Sequence, residues 1–138
     1  MSSIIRIRGG QLDINALLAS MESLIPYSVF RKGDQKSTDH ETSIVYEESG
    51  AYFQVPDTDF QSLPEQFEIF KTFAEDRFLD LMKLQFAFGA ETAYLDVAKY
   101  VEDFQRVPLQ FDYIPADILQ LLSKLKLGLR LAHWENVS

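Results

Sequence analysis

The chain has no cysteine. This excludes disulfides, a thiolate metal site and a cysteine nucleophile. Its two histidines, His40 and His133, stand far apart in sequence. Neither has a nucleophile motif, a His-Glu-x-x-His pattern or a glycine elbow to work with. The pair Gly9-Gly10 is followed by no glycine, Lys or Ser/Thr at the spacing of a phosphate loop, so it reads as a turn. Nothing in the sequence calls for a cofactor. No apolar run approaches the ~20 residues of a membrane-spanning helix. The first residues lack the roughly 7–15-residue apolar stretch of a secretory leader. The expectation is a soluble cytoplasmic protein without a membrane partner. Basic residues are outnumbered, 13 against 21 acids, for a net charge of −8. That argues against nucleic-acid binding, which needs a basic footprint.

Apolar residues, by contrast, are plentiful: they make up 46% of the chain, and eleven residues are Phe. A disordered chain is therefore excluded. At 138 residues the chain is one domain's worth, residues 1–138. Chains of ~150 residues bury roughly two-thirds of their unfolded surface, so no covalent staple is needed. The acid excess is ordinary for solubility. Its sharper reading is steering toward a cationic partner.

Along the chain, residues 2–8 alternate weakly and predict a strand. Asp13 is a plausible N-cap for a helix whose stripe is Leu17, Leu18, Met21, Leu24 and Ile25, stopped by Pro26. Residues 27–32 predict a second strand, closed by Gly33-Asp34. Residues 34–42 are polar and predict an exposed loop. Residues 43–48 and 51–55 alternate around Ser49-Gly50, which signals a hairpin. Ser62 and Glu65 have capping-box spacing with Pro64 in the first turn. The helical pattern then runs to residue 88, as one helix or as two broken near Glu75-Asp76, with Gly89 beyond it. The apolar residues of 79–88 are too many for one stripe, which predicts cover on more than one side. Residues 92–102 fit a strand or a helix equally well by period. Leu109, Phe111 and Tyr113 alternate as a strand. Pro115 opens a helix with Ile118, Leu121, Leu122 and Leu125, and Leu127, Leu129 and Leu131 alternate as the last strand. The order β-α-β-β-β-α-β-β-α-β predicts an α+β fold, a mainly antiparallel sheet with helices packed on one face.

Three blocks recur here in a familiar order: Gly9-Gly10-Gln11-Leu12-Asp13, Phe30-Arg31-Lys32-Gly33-Asp34, and the strand–proline–leucine helix–strand unit of residues 109–134. With the polar insert and hairpin between them, they resemble, over nearly the whole chain, the bacterial family called domain of unknown function 4279. The resemblance implies that residues 92–102 form a strand. It brings no catalytic residues. Because some members of that family look like immunity proteins encoded beside polymorphic toxins, it implies a non-enzymatic protein that binds and neutralises a cognate toxin.

The candidate residues follow. Arg31 and Lys32 offer an anion contact, with the Arg fork suited to carboxylates; the plainer reading is a solvated strand end. They would serve the alternative function, a small-ligand-binding or enzymatic domain. Glu47, Glu48, Asp57, Asp59, Glu65 and Glu68 fall together with no Lys or Arg between them. If the hairpin adjoins the helix start, they make a negative patch for a cationic protein such as a toxin domain. The plainer reading is a solvated face. Asp39-His40-Glu41 has metal-ligand residue types, but adjacent residues rarely converge on one ion. Asp57-Thr58-Asp59 lacks the glycine and distal Glu of a calcium loop. Tyr94, Tyr100, Phe104 and Trp134 form an aromatic surface if they share the sheet face away from the helices.

Overall fold

A computed structural model describes residues 3–36, 44–85, 87–101, 105–106 and 109–135. Among the described residues, five strands and four helices follow one another in the order β1 (Ile4–Gly9), α1 (Ile14–Ser20), β2 (Ser28–Phe30), β3 (Ser49–Gln54), α2 (Leu63–Asp76), α3 (Phe78–Met82), β4 (Thr92–Val101), α4 (Ala116–Leu125) and β5 (Gly128–Glu135). The sheet order is β2-β3-β1-β4-β5. Three of its pairings are antiparallel and the β4–β5 pairing is parallel. The expected α+β fold with a mainly antiparallel sheet is therefore present.

The pairings fix the helices' side. β1 and β2 run parallel with β3 between them; β3 and β4 run parallel with β1 between them; β4 and β5 are parallel neighbours. Each parallel relation needs a crossover, supplied by α1, by α2 with α3, and by α4. All four helices pack on one sheet face, where Ile5, Ile7, Ala51, Phe53, Leu95 and Val97 meet Leu17, Phe67, Phe70, Leu81, Ile118, Leu122 and Leu125. Side chains alternate along a strand. The other face therefore carries Ile4, Arg6, Tyr52, Gln54, Tyr94, Asp96, Arg130 and Trp134, and none of the described helices covers it.

Local signals account for the helix starts. The Asp13 carboxylate accepts the Ala16 N–H at 3.1 Å, and the Ser62 hydroxyl oxygen accepts the Glu65 N–H at 3.3 Å. Pro115 precedes α4, whose end is a left-handed Lys126 at φ 54°. The long helical pattern breaks at Arg77, giving α2 and α3. Of the stretch ambiguous by period, residues 92–101 are extended in β4, and residue 102 lies outside the described residues.

Four expectations are corrected. Residues 44–48 form no strand, only a bridge between Gln35 and Val45. Ser49 and Gly50 are not a turn but the first residues of β3, paired with Gly9 and Arg8. Gly50 is there because the Phe30 ring lies over its backbone; an added Cβ would sit 2.3 Å from Phe30 Cζ. Residues 109–113 are not a strand and pair with no described strand. Helix α1 stops at Ser20, and Ile25 leaves the core with 82% of its surface exposed. In the stretch after α2, Leu81 and Leu84 are buried while Leu79 is 70% exposed.

Candidate functional site

β1 ends where Ile4 pairs with Gln54 on one side and Asp96 on the other. β4 and β5 run on past it to Val101 and Glu135. The chain leaving β3 crosses this end as residues 56–62, and a buried polar network pins it there. The Ser3 N–H donates to Thr58 Oγ1 at 2.8 Å, and the Thr58 hydroxyl donates to the Val55 carbonyl at 2.8 Å. The Ser3 hydroxyl donates to Gln66 Oε1 at 2.7 Å. Gln66 Nε2 donates to the carbonyls of Ala98 at 2.7 Å and Gln61 at 3.0 Å. Within this segment Asp57 and Phe60 have φ of 64° and 62°. Left-handed backbone in non-glycine residues costs on the order of 1–3 kcal/mol each and persists only where the surroundings impose it. What it achieves here is presentation: Phe60 points into solvent, 82% exposed.

Phe60 is not alone. A groove of about 560 Å³ runs from residues 60–64 to Lys99, Tyr100, Phe111, Tyr113 and Pro115. Phe111 and Tyr113 are 79% and 78% exposed. Their segment is held to the sheet edge by Asp112. Lys99 Nζ donates to the Asp112 carboxylate and, at 3.1 Å, to the Phe111 carbonyl. His133 Nε2 lies 3.0 Å from Asp112 Oδ2. The Lys99 ammonium holds the Asp112 carboxyl below the usual carboxylate range, against the partial burial that would raise it, and His133 adds to the effect. The alternation of residues 109–113 is thus real, but its polar member is the anchor and its aromatics face outward. Exposed large apolar groups grouped this way mark interaction surfaces.

Gln61 and Pro64 also line a second, shallower groove with Asp57, Glu65, Glu68 and Ile69. Asp57, Glu68 and Ile69 continue it to Asp76 and to Arg77, whose guanidinium lies over the Phe73 ring. Three of the six acids singled out by sequence are therefore brought together, against the aromatic groove. Asp59 points the other way and borders a depression on the open sheet face. Glu47 and Glu48 precede β3, at the far end of a six-residue strand about 17 Å long. The structure does not bring them to the other four.

Arg31 and Lys32 are exposed. The Arg31 guanidinium donates to Asn15 Oδ1 from Nε at 3.2 Å and Nη2 at 3.0 Å, tying β2's end to α1. The Lys32 N–H donates to Ser49 Oγ at 2.9 Å. Neither lines the grooves above. Asp39-His40-Glu41 and Phe104 lie outside the described residues. Tyr94, Tyr100 and Trp134 do share the open sheet face, and Tyr100 and Trp134 are partly exposed. Among the described residues no three His, Asp or Glu are grouped to hold a metal ion, and no helix is long and apolar enough to cross a membrane. No protein-family model, curated protein or solved structure matches the chain.

Sequence reasoning missed Phe60, Phe111 and Tyr113 as surface residues. Their type argued for the core. Only the left-handed turn at Phe60 and the clamp on Asp112 turn them out, and neither leaves a mark in periodicity.

Proposed function

We propose that this protein is a non-enzymatic interaction protein that binds a basic protein partner across residues 57–69 and 109–115 and blocks it. In this reading the partner is a toxin domain and the protein its immunity protein. The observation that carries the proposal is the juxtaposition of Phe60, Phe111 and Tyr113, all largely exposed, with Asp57, Glu65 and Glu68 through the shared Gln61 and Pro64. Aromatic anchors supply the energy of protein interfaces. Surrounding charge supplies orientation and encounter rate more than affinity. The net charge of −8 acts in the same direction at longer range. The fixed backbone of residues 56–62 lowers the ordering cost of binding. The alternative, a small-ligand or enzymatic site around Arg31 and Lys32, has less support, because Asn15 already occupies the Arg31 fork.

The test is calorimetric titration with the protein encoded by the adjacent gene. The proposal expects a basic partner and a one-to-one complex that weakens with salt. It also expects Glu65→Lys with Glu68→Lys to slow association roughly tenfold or more. A complex indifferent to salt and to both charge reversals, or no complex at all, overturns it.

A further inference from the structure

The open face of the sheet holds a second feature, on the other side of residues 56–62 and independent of the partner surface. Beyond the end of β1, Ala98 stands opposite Ala132. The pairs flanking them on the same face are larger, Asp96 with Arg130 and Tyr100 with Trp134. Two alanines between such pairs leave a depression of about 380 Å³, with Trp134 at one end and Tyr27 and Asp59 along its side.

Its inner wall carries an unsettled carboxylate. The Asp96 side chain is only 10% exposed. Oδ2 accepts from Arg6 Nε at 2.8 Å, and the Arg6 guanidinium is held 4.4 Å from the centre of the Tyr52 ring. Oδ1 is buried and has no hydrogen-bond partner. Buried carboxylate oxygens are normally satisfied, so this one needs a reason. A second cation, Arg130, has its Nε 3.7 Å from Oδ1, beyond hydrogen-bond reach. The Arg130 side chain is 62% exposed, and its contact with Asp96 is a long ion pair. A buried acceptor and a loosely paired, largely exposed guanidinium thus stand side by side at an aromatic-walled depression.

We propose that this depression binds a free α-amino acid with an apolar or aromatic side chain. The ammonium donates to Asp96 Oδ1, the carboxylate accepts from the Arg130 guanidinium, and the side chain lies over Ala98 and Ala132 against Trp134. The charge count selects this class. Arg6, Arg130, Asp59 and Asp96 line the depression, two of each sign, so it suits a ligand without net charge whose carboxylate Arg130 takes. Oδ1 still requires a donor one or two bonds from that anion, as an α-ammonium is. A simple anion would leave Oδ1 without a donor, and a simple amine would leave Arg130 without an acceptor. Arg130 covers Oδ1, and its largely solvated side chain swings aside to admit the ammonium.

Trp134 is the chain's single tryptophan, so its emission reports on this site directly. Titration of the full chain with L-phenylalanine at millimolar concentration is expected to shift that emission saturably and to raise Tm. N-acetyl-L-phenylalanine, lacking the ammonium, and L-phenylalanine amide, lacking the carboxylate, are expected to bind roughly tenfold more weakly or less well still. Arg130→Gln alters an exposed side chain, leaves the fold intact, and is expected to lose the response; Ala132→Leu fills the depression and is expected to lose it too. The inference is overturned if none of the common amino acids gives a saturable Trp134 change or a Tm rise. It is equally overturned if the blocked derivatives bind as well as L-phenylalanine, or if Arg130→Gln binds unchanged.

Discussion

At the scale of the residue, Asp80 decides where α1 ends. Its carboxylate accepts the N–H groups of Glu22, Ser23 and Leu24 and the Ser23 hydroxyl, at 2.7–3.2 Å. Lys83 adds a contact at 3.3 Å. These bonds turn the chain after Ser20, carry Leu24 into the core and leave Ile25 outside. Burial by itself would raise the Asp80 carboxyl. The backbone donors of Ser23, Glu22 and Leu24 outweigh it and hold the group well below the usual carboxylate range. A depressed carboxylate stabilises the fold above its unfolded value of about 4 and loses that contribution as pH falls toward the folded value. Asp80→Ala is expected to cost about 3 kcal/mol in urea unfolding near neutral pH. The difference from wild type should shrink as pH drops below about 4; a difference independent of pH would contradict the assignment. Phe60 gives the opposite case. Glycine adopts φ 62° freely, so Phe60→Gly is expected to leave Tm unchanged or slightly raised while partner affinity falls roughly tenfold or more. A large drop in Tm would show that Phe60 belongs to the core. Neither residue was legible in the sequence: nothing local marks Asp80, and its backbone partners at Glu22, Ser23 and Leu24 lie in a different part of the chain.

At the scale of the element, periodicity found both long helices and their starts, because Ser62, Pro64 and Pro115 are local signals, but the pattern expected to run to residue 88 ends at Met82. It left β4 undecided, since residues 92–102 fit either period. It misread Gly50, whose lack of a Cβ serves the Phe30 ring and not a turn. It misread residues 109–113 because alternation reveals two sides without saying which is covered. Two predictions belong here. Gln66→Leu strands the Ser3 hydroxyl and the Ala98 carbonyl, and is expected to cost about 2 kcal/mol. Amide exchange across residues 57–62 should accelerate with it; unchanged exchange there would show that the network does not hold the segment. Asp112→Asn weakens the bonds from Lys99 and His133. Because the Asp112 carboxyl is depressed, its clamp is complete above the usual carboxylate range and is lost as pH falls through the folded value. Acid is therefore expected to raise exchange in residues 109–115 of the wild type more than in Asp112→Asn. Equal acid sensitivity in the two proteins would contradict this.

At the scale of the molecule, three crossovers on one side bury one sheet face and leave the other without helices. The fold class was legible because apolar spacing records which residues face the core. The surfaces were not, because they depend on the β4–β5 overhang and on how residues 56–62 cross it. The acid excess was legible as a total; its division into an acidic groove beside aromatics and a separate pair at Glu47 and Glu48 was not. The account centres on the groove formed by residues 57–69 and 109–115. The most direct measurement is amide hydrogen exchange of the protein alone and in the presence of the proposed partner, the product of the adjacent gene. The account predicts protection concentrated in residues 57–69 and 109–115, with β2 and the Arg31–Lys32 turn unchanged. Protection centred on Arg31 and Lys32, with residues 57–69 and 109–115 exchanging as in the free protein, would contradict it.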